Sequence, residues 1–131
     1  MRTLIVEDDN SSRLLLERML SVYGKPLSVS SGIEAVEVFE MSINQGIYFD
    51  LICLDIMMPK MDGQEALQKI REIEHNVGIP ASAAVKVVMT TALADVPNVM
   101  KAIRNKCNGY LIKPIDRRML VEKLKSLDLI E

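Results

Sequence analysis

Short apolar runs alternate along this chain with segments whose apolar residues recur at helical spacing. Leu4-Ile5-Val6, Leu27 to Ser30, Phe49 to Leu54, Val85 to Met89 and Tyr110 to Ile112 are short and bounded by turn residues, which predicts five buried strands. Between and after them come Leu15, Leu16, Met19 and Leu20, then Val36, Phe39 and Ile43, then Ala66, Leu67, Ile70 and Ile73, then Val99, Met100 and Ile103, and last Leu120, Leu124 and Leu127. Each set lies on one face of a helix. The boundaries agree. Tyr23-Gly24-Lys25-Pro26 and Gly46 stop the first two helices, and Ser30 or Ser31 caps the second. Pro59 and Asp62-Gly63 open the third, Gly78 and Pro80 break its end, and Ala81 to Ala84 lead into the fourth strand. Asp95 and Pro97 start the fourth helix, Asn108-Gly109 turns into the last strand, and Asp116 caps the fifth helix. Five strands and five helices in strict alternation call for an α/β fold, a doubly wound parallel sheet with right-handed crossovers. The 131 residues suit one compact domain, 1–131, with no separate output domain.

The strand ends carry the chemistry. Leu4-Ile5-Val6 runs into Glu7, Asp8 and Asp9; the third run ends on Asp55, the fourth on Thr90 and Thr91, and the fifth on Lys113-Pro114. An open α/β sheet places its site at the carboxyl ends of its strands. In the order 2-1-3-4-5, the first and third strands are neighbours, so Glu7, Asp8 and Asp55 meet. Two carboxylates ~4 Å apart repel by about 4 kcal/mol at an effective dielectric near 20. A hard divalent ion such as Mg²⁺, or Mn²⁺, relieves this and accepts phosphate oxygens. Thr91 can donate a hydroxyl proton to a phosphoryl oxygen, and Lys113 can reach another or pair with Asp55. Asp9, one residue further out, is expected to face solvent near the first helix.

Composition narrows the picture. With 16 basic and 18 acidic residues, the chain lacks the excess charge of an ordinary nucleic-acid binder. Aromatics are only 4%, too few for base stacking. No long apolar stretch or signal-like start occurs, so a cytoplasmic protein is expected. Cys53 reads as a buried hydrophobe, and no disulfide with Cys107 is expected. The nine methionines read mostly as core filler. The sole histidine, His75, reads as a helix-terminus residue rather than a phosphoryl carrier. Charge is uneven: residues 1–100 hold 8 basic and 14 acidic side chains, residues 101–131 hold 8 and 4. The second region is either a solvated helical surface or a basic docking face.

Four fragments, in order and on the expected strand ends, resemble the receiver domain of two-component response regulators of the single-domain, chemotaxis-regulator type. They are Leu4 to Asp9, Leu54-Asp55-Ile56-Met57-Met58-Pro59-Lys60-Met61-Asp62-Gly63, Thr91-Ala92, and Gly109-Tyr110-Leu111-Ile112-Lys113-Pro114. The resemblance implies a flavodoxin-like fold and a phosphorylation-controlled switch. Asp55 would accept the phosphoryl group from a partner histidine kinase or phosphotransfer protein. Glu7, Asp8, Asp55 and the backbone carbonyl of Met57 would hold the metal. Thr91 would be the switch hydroxyl, Lys113 the phosphoryl-binding lysine before a cis proline bond, and Tyr110 the aromatic switch. Glu7 stands where many members have Asp. Output would be by protein docking on the 95–125 face, with Lys101, Arg104, Arg117 and Arg118 facing an acidic partner, and a weak homodimer is open. Direct nucleic-acid or membrane binding is not implied.

The chemistry agrees: a carboxylate can form an acyl phosphate, and phosphoryl transfer needs mainly positioning and charge neutralisation. Beyond its own phosphorylation and dephosphorylation no enzyme activity is expected. A metal-dependent phosphohydrolase with an aspartyl intermediate is the rival, but its general acid two residues after the nucleophile is replaced here by Met57, and no insertion is long enough for a substrate cap. A phosphate-independent receiver-like module is the other; it would be favoured by loss of an acid, Thr or Lys, and none is lost. Met57 and Leu93 offer no polar group to orient an attacking water, so a long-lived phosphoryl group is expected.

Overall fold

The computed structural model describes residues 1–92 and 96–131. Five strands, β1 (Thr3–Val6), β2 (Leu27–Val29), β3 (Leu51–Asp55), β4 (Lys86–Thr91) and β5 (Gly109–Ile112), alternate with α1 (Asn10–Leu20), α2 (Gly32–Asn44), α3 (Gly63–Asn76), α4 (Val96–Arg104) and α5 (Arg117–Ser126). All strand pairs are parallel, in the order β2-β1-β3-β4-β5. The alternation predicted from the apolar pattern is the fold observed.

Two apolar layers hold it together, one on each sheet face. Leu4, Val6, Ile52, Leu54, Val87 and Met89 pack with Phe39 of α2, Leu67 and Ile70 of α3 and Ala102 of α4. Ile5, Leu51, Cys53, Val88 and Leu111 pack with Leu16 and Leu20 of α1 and Leu120 and Leu124 of α5. The strict two-residue alternation along each strand assigns every side chain to a layer. Cys53 is a buried free thiol, its pKa pushed up to about 12 by burial.

Local chemistry explains the helix starts. Asp9, Ser31, Asp62 and Asp116 each accept a backbone N–H of the first turn, satisfying donors that a helix leaves open. The cap at Ser31 is the second of the two serines the pattern allowed. Asp95 lies outside the described residues.

Some expectations need correction. β3 runs through Asp55 and β4 through both threonines, because a polar side chain does not stop a backbone ladder: Asp55 pairs with Thr90 and Thr91 with Ile112. Methionine is core filler at Met19, Met58 and Met89, whereas Met41, Met57, Met100 and Met119 are exposed. Among the described residues, no helix is long and apolar enough to cross a membrane.

Candidate functional site

The site lies at the carboxyl edge of β1, β3, β4 and the end of β5. Glu7 leaves β1 on the face of Ile5, and Asp55 ends β3 on the face of Cys53, which is the same face. Both are buried, and Asp8 is exposed above them. Each of the three offers a carboxylate oxygen, and these atoms lie within 4.8 Å of one another. The acids predicted to meet do meet. Asp9 turns outward as the exposed cap of α1, accepting from Ser12 N at 2.8 Å, and this hydrogen bond holds its carboxyl below the usual range.

Lys113 sits among the acids. Its Nζ lies 2.5 Å from Glu7 Oε1 and 3.4 Å from Asp55 Oδ1. Glu7 Oε1 is thus held by the ammonium at close range. Burial drives the Asp55 carboxyl up to about 7, helped by the hydrogen bond and negative charge of Glu7 and opposed by Lys113. Burial pulls on Lys113 in the other direction, but the two carboxylates outweigh it and its pKa rises. The bond from Lys113 to Pro114 is cis, as the resemblance implied.

Neighbouring backbone fixes these positions. Ile56 N donates to Thr90 O at 3.0 Å, Lys113 N to Thr91 O at 2.7 Å, and Gly63 N to Ile56 O at 2.8 Å. Gly63 has to be glycine: a Cβ there would stand 2.2 Å from Asp55 O. That close approach sets the start of α3 against the end of β3.

The remaining predicted residues divide by sheet face. Thr91 is buried at the end of β4 on the face of Met89, opposite Asp55, and Tyr110 is half-buried in that same layer. Met57 follows β3 with an exposed side chain. Leu93 lies outside the described residues. His75 is exposed in the last turn of α3, away from the acids, as expected. Lys101, Arg104, Arg117 and Arg118 are exposed, and among them stand exposed Val96, Met100, Ile103 and Met119, so that surface is apolar as well as basic.

Two buried polar residues were not singled out from the sequence. Thr90, next to Thr91 in the same run, is the Cα partner of Asp55. Gln64, the second residue of α3, is buried and donates to Asn98 O of α4 at 3.0 Å. No periodicity argument marks it, because it occupies an apolar helix position.

The arrangement suits a hard cation. Three carboxylates within reach of one another, two of them sharing a single ammonium, match oxygen-ligated Mg²⁺ or Mn²⁺. Asp55 can act as an oxygen nucleophile when ionised. The larger clefts, about 440 and 450 Å³, lie around Arg71 and His75 at the opposite edge. Of the acids, Glu7 lines a smaller cleft of about 150 Å³, with Lys113, Ser11, Ser12, Leu15 and Pro114.

A family model described as response regulator receiver domain matches residues 3–125. The chemotaxis protein CheY of Treponema pallidum (strain Nichols) is 32% identical over 128 residues, covering 96% of this chain and 81% of that protein. A probable transcriptional regulator, ycf27, of Cyanidium caldarium is 33% identical over 125 residues, covering 95% of this chain but only 45% of the relative. The chain thus spans about half the length of several curated relatives it matches. Among solved structures, the CheX–CheY–BeF3–Mg²⁺ complex of Borrelia burgdorferi aligns with a TM-score of 0.83 at 26% identity, covering 99% of this chain and 90% of that one.

Proposed function

The chain belongs to the response regulator receiver domain family, and from that membership we propose that it is a signalling switch that accepts a phosphoryl group on Asp55. The carrying observation is the buried group at one strand edge: Asp55 beside Glu7, with Lys113 bridging both. In the reaction an Asp55 carboxylate oxygen attacks phosphorus, and the donor leaves with the electrons of the broken P–O or P–N bond. Lys113 then neutralises phosphoryl oxygens in place of the lost carboxylate charge. Glu7, Asp8, Asp55 and the Met57 carbonyl would hold a divalent ion, Mg²⁺ or Mn²⁺. When bound, it supplies charge neutralisation for the phosphoryl oxygens. Support comes from the acid cluster and from the Borrelia relative, solved with Mg²⁺ and BeF3.

The switch reads out through Thr91 and Tyr110, which share the sheet face packed against α4. Output is by docking of a protein partner on α4, β5 and α5, where exposed basic and apolar side chains mix. The phosphoryl donor is a histidine kinase or phosphotransfer protein. The site of action is cytoplasmic, and there is no turnover of free substrates. Met57 and Leu93 bring no polar side chain to orient an attacking water, so the acyl phosphate is long-lived. Intact mass after incubation with a small phosphodonor and Mg²⁺ tests the reading. The native chain gains one phosphoryl group and Asp55→Asn gains none; normal uptake by that variant overturns it.

A further inference from the structure

We propose that Thr90 is a positioning residue of this site, its hydroxyl receiving the Lys113 ammonium when a divalent cation takes the oxygens of Glu7 and Asp55. This rests on the phosphoacceptor reading above and adds a residue to it.

The register makes the placement. Thr90 and Asp55 are direct Cα partners on β4 and β3, and Ile56 N bonds Thr90 O at 3.0 Å. Side chains alternate along β4, so Thr90 shares the face of Val88, which packs with Cys53 and Leu111. Asp55 and Glu7 are on that face too. The row across the sheet is therefore Glu7, Asp55, Thr90, Leu111.

The hydroxyl is unusual within its strand. Thr90 is 1% exposed, and its Oγ1 has no hydrogen-bond partner among the described residues. A valine of the same shape would avoid the cost of burying that group unpaired. An unpaired buried hydroxyl in a catalytic row calls for a partner that arrives in another state of the site.

Lys113 is that partner. Its backbone N is held to Thr91 O at 2.7 Å, and its Nζ reaches Asp55 and Glu7 beyond. To go from the end of β5 to β3 and β1 the side chain has to cross the end of β4, over Thr90. An ion held by the carboxylates competes with the ammonium for the same oxygens, and the doubly charged ion wins at short range. The displaced ammonium still needs acceptors for its three protons. In this row the neutral acceptor is Thr90 Oγ1. Bonded there, Lys113 stays beside Asp55, where phosphoryl oxygens form, instead of swinging into solvent.

The test compares Thr90→Val and Thr90→Ser with the native chain. Thermal unfolding of Thr90→Val is expected at or above the native midpoint. Two quantities should move together: Mg²⁺ affinity of the unphosphorylated chain falls several-fold, and the phosphorylation rate with acetyl phosphate at saturating Mg²⁺ falls roughly tenfold, the size of one hydrogen bond to a charged group. Thr90→Ser restores both. Native phosphorylation at Asp55 with an unaltered Thr90→Val overturns the Thr90 assignment alone. A native chain that takes up no phosphoryl group overturns the phosphoacceptor reading and this inference with it.

Discussion

The two ends of the sheet both bury charge, and they treat it in opposite ways. At the amino-terminal edge, Arg71 of α3 donates to Lys106 O, Val85 O, Asn108 Oδ1 and Glu74 Oε1, at 2.7 to 3.1 Å. The other Glu74 oxygen accepts Val85 N at 2.7 Å, and Asn108 Oδ1 also accepts Val87 N. Each carboxylate oxygen has a directed donor, so the network ties α3 to β4 and to the turn before β5. At the carboxyl-terminal edge two carboxylates, Glu7 and Asp55, share one ammonium, burial pushes the Asp55 carboxyl up, and Thr90 Oγ1 has no partner among the described residues. Fully satisfied buried polar groups fix a structure, while partly satisfied ones store an unmet demand. The first edge holds the fold together and the second is poised to gain an ion and a phosphoryl group.

Breaking the satisfied edge should have the largest effect. Glu74→Ala strips Val85 N of its acceptor and leaves Arg71 half-buried without its carboxylate. The expected loss is about 3–5 kcal/mol, the cost of breaking a buried pair, read by urea unfolding. Phosphoryl uptake per folded molecule should stay native. A loss below about 1 kcal/mol would erase the contrast between the edges.

The unsatisfied edge should respond with the opposite sign. Burial pushes the folded Asp55 carboxyl up to about 7, from 3.8 for a free aspartate. The folded state therefore binds more protons between those values, and stability falls as pH rises through them. Asn carries no such penalty. In chelator at pH 8, Asp55→Asn should be more stable than the native chain by on the order of 2–4 kcal/mol, an advantage that vanishes near pH 4. A destabilised variant at pH 8 would mean that Asp55 is as well satisfied as Glu74.

Sequence reading reached these edges unequally. The strands and the acids were legible because each is a local signal: an apolar run, a break, a charge at the end of the run; the strand order came with the doubly wound fold class. Lys113 was legible as a strand-end cation. The Arg71–Glu74–Asn108 network was not, because its members lie on α3 and on the turn before β5 and look like solvated helix charges until the chain folds. Thr90 was not singled out because it ends the same run as Thr91; the ladder, which carries β4 past Met89 and pairs Thr90 with Asp55, adds it to the site. Val99, Met100 and Ile103 were read as the apolar stripe of the fourth helix, but Met100 and Ile103 are exposed and Ala102 is the buried residue of α4.

Asp8 sharpens the contrast from the exposed side. It belongs to the acid cluster yet is solvated, so Asp8→Asn should leave metal-free stability near native and weaken Mg²⁺ binding roughly tenfold. Calorimetric titration in parallel with unfolding reads both. Unchanged affinity would remove Asp8 from the ion's ligands.

The smallest expected effect lies away from both edges. Arg118 on α5 pairs with Glu122 at 3.3 Å, but both side chains are mostly in water. Such i,i+4 pairs contribute only a few tenths of a kcal/mol because solvent and salt screen them. Arg118→Glu should shift stability by less than about 0.5 kcal/mol and leave phosphorylation of Asp55 untouched, since α5 meets the site only through its packing. Binding to an output partner is another matter. On the proposed docking face Arg118 stands with exposed Met119 and the basic side chains of α4, and a reversed charge there would set like charges against an acidic partner surface. Affinity of the phosphorylated chain for its partner should fall and its salt dependence flatten. Native affinity with native salt dependence would reduce the basic residues of α4 and α5 to a solvated surface and leave the exposed apolar side chains as the docking element.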